Sequence, residues 1–140
     1  MDNFYSLGHL LGRASVSLSK SLNARLEACD IDLPHSQFIV LRCLYYKDAL
    51  SQLEIANLLS KDASAIKRTI DSLEKKELVI RRQIRTLKNS VCISDKGKNL
   101  MPQVLKIANN LINEALNGIE IENQELLRTM LDKIYTNIEK

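Results

Sequence analysis

LSQLEIANLLSKDASAIKRTIDSLEKKELVIRR, residues 50–82, decides the fold. Ser51 and Glu54 have the spacing of a capping box: the hydroxyl accepts from the Glu54 N–H and the carboxylate reaches back. A short helix therefore begins at Gln52, turns Leu53, Ala56 and Leu59 inward, and stops near Ser60. After the turn Ser60-Lys61-Asp62 a second helix starts at Asp62 or Ala63 and runs to about Lys76. Ile66, Ile70 and Leu73 recur at steps of four and three, one buried stripe. Opposite lie Ser64, Ala65, Lys67, Arg68 and Asp71. Two short helices in close succession, the second with small and basic residues outward, predict a helix-turn-helix.

The period then changes. Leu78–Gln83 and Ser90–Ile93 are short and rich in β-branched residues, as two strands should be. Ile84–Asn89 between them predicts a polar, basic tip. A hairpin directly after such a helix is a wing. Upstream, Leu7, Leu11, Ala14, Leu18 and Leu22 mark one face of a helix over residues 4–29, which ends where Asp30 to Pro34 disfavour continuation. Pro34 suits the start of the next helix, His35–Tyr46, with Phe38, Leu41 and Tyr45 on one face. Downstream, Ser94-Asp95 caps a long helix carrying Leu100, Val104, Ile107 and Leu111. Pro102 should kink it unless it sits in the first turn. Gly118 is expected to end it, and a last helix from about Glu122 carries Leu127, Leu131, Ile134 and Ile138. The fold class is mainly α with a small β wing: a winged helix-turn-helix over 34–94, plus long N- and C-terminal helices.

The totals agree. The chain has 140 residues, 45% hydrophobic and 26% charged, which suits one globular domain. Aromatics are 4% with no Trp, so the core must be aliphatic. No apolar run is long enough to span a membrane. The N-terminal stretch carries an acid and no basic segment, so no secretory signal is expected. Cys29, Cys43 and Cys92 are an odd, widely spaced set that makes neither a disulfide framework nor a metal pattern. Both points predict a cytoplasmic protein. Net charge is only +3, yet residues 61–98 hold eleven basic groups against five acids, a local net of +6. That concentration is expected of a face that meets a polyanion. No Gly-rich phosphate loop, paired acids or His/Cys constellation points to an enzyme, a cofactor or a metal.

The order of elements, the stretch quoted above and ISDKGKNL (residues 93–100) together resemble the MarR family of bacterial transcriptional regulators, with Gly97 where that family has its glycine. Glu77 stands where the family usually has glycine before the first strand. The wing tip is about two residues shorter and lacks the family's Asp-x-Arg element. The resemblance implies a single domain over 1–140 and a homodimer, with helices 4–29 and 95–138 forming the dimer body. It also implies a repressor that binds a pseudo-palindromic operator in double-stranded DNA and is released by a small-molecule effector or an oxidant.

Ser51 and Gln52, at a helix N-terminus, are expected to donate to a phosphate. Arg81, Arg85 and Lys88 are expected to reach the backbone or minor groove from the wing. Ser64 and Ala65 allow close approach to base edges, and Lys67 and Arg68 suit guanine. Arg68 has a rival role, pairing with Asp71 or Glu54. Arg13, His9, His35, Tyr45 and Tyr46 are candidates for an effector site; the two histidines are too isolated for a metal. Cys29 is the candidate for redox sensing, against the commoner role of a free cysteine as a small buried hydrophobe. A winged-helix protein-interaction module without DNA binding is the rival reading.

Overall fold

Four of the six helices among the described residues begin where a polar side chain accepts an N–H of the first turn, and one begins after a proline. The computed structural model describes residues 2–85 and 88–139, without the side chains of Ile84, Arg85 and Lys88. Helix α1, Asn3–Ala28, starts behind Asp2, whose carboxylate accepts the Tyr5 N–H at 2.8 Å. Its last turn closes with the Ile31 N–H on the Leu26 carbonyl at 2.9 Å, Asp30 taking φ 58°. Helix α2, His35–Tyr46, follows Pro34, and the His35 N–H donates to Asn23 Oδ1 of α1 at 2.8 Å. α2 is the hub. It packs on α1, on the three helices that follow it and on the second wing strand, and buries Phe38, Val40, Leu41 and Leu44.

Helix α3, Gln52–Leu59, carries both arms of the capping box, Glu54 N–H to Ser51 Oγ and Ser51 N–H to Glu54 Oε1, each 3.1 Å. Its inward face differs from the expected one. Ile55 and Ala56 are buried with Leu59 half-buried, whereas Leu53 is 63% exposed. Five of the eight residues of QLEIANLL are aliphatic or alanine, so two stripes compete. Packing against α2 and helix α4, Ala63–Lys75, selects the one through Ile55. α4 is capped by Asp62, whose Oδ1 accepts the Ala65 N–H at 3.0 Å, and it buries Ile66, Ile70 and Leu73.

The turn out of α4 is made at Glu77, with φ 63° in the left-handed region that glycine ordinarily fills. The Leu78 N–H reaches the Leu73 carbonyl at 3.0 Å, and Ser94 Oγ donates to the Glu77 carbonyl at 2.7 Å. Strand β1, Val79–Arg85, then pairs antiparallel with β2, Lys88–Ile93, in the register Val79↔Ile93 to Arg85↔Lys88. The strands thus consume most of the tip expected at Ile84–Asn89; Thr86 and Leu87 of that tip lie outside the described residues. Leu50 adds a third, one-residue bridge to Val91, with N–H to carbonyl distances of 3.2 and 2.7 Å. Asp48 Oδ1 accepts the Ile93 N–H beside it at 2.8 Å.

Helix α5, Asp95–Ala115, is capped by Ser94. Gly97 faces the wing so closely that a Cβ there would lie 2.5 Å from the Leu78 carbonyl oxygen. Pro102 falls inside α5, beyond its first turn, and the helix continues through it. The Lys98 carbonyl therefore forgoes its intrahelical donor. Gly118, φ 83°, lies in the turn before helix α6, Ile121–Ile138.

The core runs from Leu22 and Leu26 through α2, α3, α4 and the wing to Met101, Val104 and Leu111 of α5. The helical ends stand apart from it. On the predicted α1 stripe only Leu22 is buried and Leu18 half-buried, while Leu7 is 49% exposed. α6 buries no residue in this chain. It touches the helix-turn-helix through the Tyr135 hydroxyl, 2.7 Å from Ser60 Oγ. Among the described residues no helix is long and apolar enough to cross a membrane.

Candidate nucleic-acid interface

α4 is pinned along one side by Ile66, Ile70 and Leu73, so its other side must face outward. There Ser64, Lys67 and Arg68 are exposed and Ala65 is half-buried. Lys67 Nζ lies 3.1 Å from Asp71 Oδ2, one turn on. Both side chains are well exposed, and an ion pair so open to water holds its partners only weakly. Lys67 can trade that partner for a phosphate or a base at little cost. The Asp71 carboxylate is engaged by Lys67 and by Arg81, not by Arg68. These two cations, Lys67 foremost, hold the Asp71 carboxyl below its usual range.

The far end of α4 is tied down. Lys76 Nζ donates to the Asp32 carbonyl at 2.7 Å and to Gln37 Oε1 at 2.6 Å, with the Asp32 carboxylate at 3.2 Å. Lys76 thus links the end of α4 to the α1–α2 connection, beyond any service to the helix dipole.

At the start of α3, Ser51 and Gln52 are half-buried, and with Leu53, Arg81, Asn89 and Val91 they line a small cleft of about 280 Å³ between helix and wing. Ser51 is committed to its cap. The Arg81 side chain is engaged within the chain: Nη1 to Glu74 Oε1 at 2.6 Å, Nη2 to Asp71 Oδ1 at 2.6 Å and to Gln52 Oε1 at 3.1 Å. Sequence reasoning missed this cluster. Its only sequence signal is two acids one turn apart on α4, upstream of a basic residue early in a strand. The side chains of Arg85 and Lys88 lie outside what the structure describes.

The other candidates do not converge. Arg13 lines an open groove together with Val16, Ser17, Lys20 and Ser21, all on α1. His35, Tyr45 and Tyr46 do not line it. His35 packs near the Phe38 ring, and burial, then the charge of Lys61, pushes its pKa below the usual histidine value. Tyr45 and Tyr46 meet edge to face at 5.4 Å, with the Arg42 guanidinium 4.9 Å from the Tyr46 ring. His9 stacks on Tyr5 at the outer end of α1. All three cysteines are free: Cys29 exposed, Cys43 and Cys92 half-buried, the Cys43 thiol pushed up by burial. Among the described residues no cluster of three His, Cys, Asp or Glu side chains is placed to hold a metal ion.

A helix-turn-helix with a two-stranded wing, a basic outer face on α4 and long flanking helices defines a winged-helix architecture. The family model described as the MarR family matches residues 33–86 of this chain, its winged segment. The HTH-type transcriptional regulator YdgJ of Bacillus subtilis (strain 168) is 26% identical over 124 residues, 86% of this chain and 74% of that protein. The crystal structure of a MarR transcriptional regulator from Methanosarcina mazei Go1 superposes with a TM-score of 0.84 over 98% of this chain and 91% of that one, at 20% identity. BpsR of Bordetella bronchiseptica, whose DNA binding is regulated by 6-hydroxynicotinic acid, superposes with a TM-score of 0.80 over 97% of this chain and 98% of that one, at 21% identity.

Proposed function

We propose that the protein is a DNA-binding transcriptional repressor that grips a pseudo-palindromic operator as a homodimer. The observation that carries this reading is the outer face of α4. Ser64, Ala65, Lys67 and Arg68 lie together on the side opposite Ile66, Ile70 and Leu73, with Ser64, Lys67 and Arg68 exposed and Ala65 half-buried. Lys67 and Arg68 address guanine or phosphate, while Ser64 and Ala65 admit a base edge to close range. Ser51 and Gln52 at the start of α3, with Arg85 and Lys88 on the wing, add backbone contacts that position the helix without reading sequence.

The dimer is supported by the bare apolar surface of α6 and of the first half of α1. Leu126, Leu127, Met130, Leu131 and Ile138 on α6 are exposed, as are Phe4, Leu7, Leu10 and Leu11 on α1. Contiguous apolar area of this kind marks an interface. A second copy would cover it with residues 4–29 and 95–138, leaving 34–94 as the reading head. Release by a small acid or another effector is supported by the parallel with BpsR and by the groove at Arg13.

Lys67→Ala and Arg68→Ala test the assignment. Each should weaken operator binding while leaving the fold and oligomeric state unchanged, and loss of a base-reading Arg68 should cost ~1–3 kcal/mol and relax specificity at one base pair. Unchanged affinity in both variants would remove α4 as the reading helix. It would then favour a winged-helix protein-interaction module.

A further inference from the structure

Arg81 is the most heavily engaged cation described in the chain, and it sits at the junction of three elements that must hold a fixed geometry. It lies on β1, opposite Val91. Its guanidinium reaches Asp71 and Glu74 on α4, both at 2.6 Å, and Gln52 at the head of α3, at 3.1 Å from Nη2 and 3.4 Å from Nε. All three of its nitrogens are therefore used within the chain. The side chain is only 26% exposed. Asp71 and Glu74 stand one turn apart on α4, so their carboxylates meet the two prongs of one planar fork. A lysine, with a single ammonium, cannot span them in that way.

We propose that Arg81 is a positioning residue for DNA reading rather than a DNA contact: its guanidinium fixes the wing and the head of α3 to the recognition helix. This rests on the reading of α4 as the DNA-reading helix. Three consequences follow from the geometry. The wing cannot rotate about the Glu77 turn without breaking two charge-assisted bonds at 2.6 Å. Gln52 is held at the head of α3 by its carbonyl oxygen, which leaves its amide N–H groups free to donate to a phosphate. And Asp71 and Glu74, two acids on α4 that would otherwise repel a phosphate backbone, share one cation on the wing, with Lys67 on the second oxygen of Asp71 supplying the other positive charge.

The test compares Arg81→Lys, Arg81→Ala and the double variant Asp71→Asn/Glu74→Gln. Binding to the protein's own upstream DNA and to random duplex DNA is measured by fluorescence anisotropy over a salt series, at a temperature where circular dichroism shows each variant folded. If Arg81 positions the reader, Arg81→Lys loses operator affinity by about tenfold, as Arg81→Ala does, because neighbours in one network couple by that order. The double variant, which keeps the arginine but strips the charge from its two carboxylate acceptors and so weakens both bonds, loses operator affinity too. In all three the operator-to-random ratio falls while the salt slope of Arg81→Ala matches wild type. A phosphate contact gives the opposite pattern. Arg81→Lys then binds like wild type, random and operator DNA weaken in parallel in Arg81→Ala, and its salt slope drops by about 0.9. That pattern, or unchanged operator binding by the double variant, overturns the inference while leaving α4 as the reader. Absence of salt-dependent binding by the wild-type protein overturns both.

Discussion

The winged half of the molecule and its outer helices are written in the same aliphatic alphabet but spend it differently. From Ile31 to Leu111, leucine, isoleucine and valine close on one another: Leu41, Leu44, Ile55, Ile70, Leu73 and Val104 are fully buried. α6 carries leucine, isoleucine and methionine at helical spacing as well, yet buries none of them. The first half of α1 likewise leaves Phe4 90% exposed. The apolar period of a helix records that it has a neighbour; it does not record whether the neighbour is the same chain. In the winged half the neighbour is present. For α6 and early α1 it is the proposed second copy.

The sharpest way to break this contrast is to charge the bare face. Leu127→Lys/Leu131→Lys should leave the winged half folded, since α6 contributes nothing to its core, but yield monomers by sedimentation velocity. Operator affinity should then fall by about 100-fold or more, because two linked half-site contacts become one. A stable dimer in this variant would move the interface elsewhere. On the packed side, Ile70→Ala removes a fully buried side chain from beneath the reading face. Denaturant unfolding should show a loss of ~2–5 kcal/mol, the cost of a buried cavity.

Smaller effects sharpen the picture at the seams. Glu77→Gly relieves a left-handed residue and should stabilise the fold by about 0.5–1 kcal/mol in the same unfolding measurement. The Glu77 side chain is exposed, so little is lost in exchange. The smallest effect concerns pH. His35 has its pKa lowered in the folded chain, first by burial and then by Lys61. The folded state refuses a proton that the unfolded chain accepts. Its contribution is therefore complete above the usual histidine pKa of about 6.5 and declines as pH falls through it. The melting temperature should drop less between about pH 7.5 and 5.5 in His35→Gln than in the wild type. An identical drop would assign the acid sensitivity to other groups.

Much of the architecture was legible because it depends on short-range chemistry. Caps at Ser51, Asp62 and Ser94, the proline before α2 and the switch from a period near 3.6 to β-branched strands are local signals, and each falls where the chain predicts it. What escaped depends on partners distant in sequence. The inward stripe of α3 passes through Ile55 rather than Leu53 because α2 and α4 choose between two equally apolar faces. The Leu50–Val91 bridge joins single residues 41 positions apart and leaves no pattern. The strands run further into the tip than composition suggests, taking in Ile84, Arg85, Lys88 and Asn89 beyond the expected ends at Gln83 and Ser90. Pro102 is carried inside α5 on an exposed side, where a forgone hydrogen bond leaves its carbonyl near water. At the interface, the small and basic face of α4 could be read directly from spacing. The engagement of Arg81 by Asp71, Glu74 and Gln52 could not, because it needs the angle between the wing and the recognition helix.

The central claim is that the segment from Ser51 to Lys98 reads double-stranded DNA. An anisotropy titration of the wild-type protein against its own upstream DNA and against random duplex, at rising salt, tests it most directly. The account predicts affinity that falls linearly in log–log form with a slope steeper than about −3, as several released counterions require. It also predicts operator binding tighter than random binding by about a thousandfold or more. Binding that is absent, or indifferent to salt and to sequence, would contradict it.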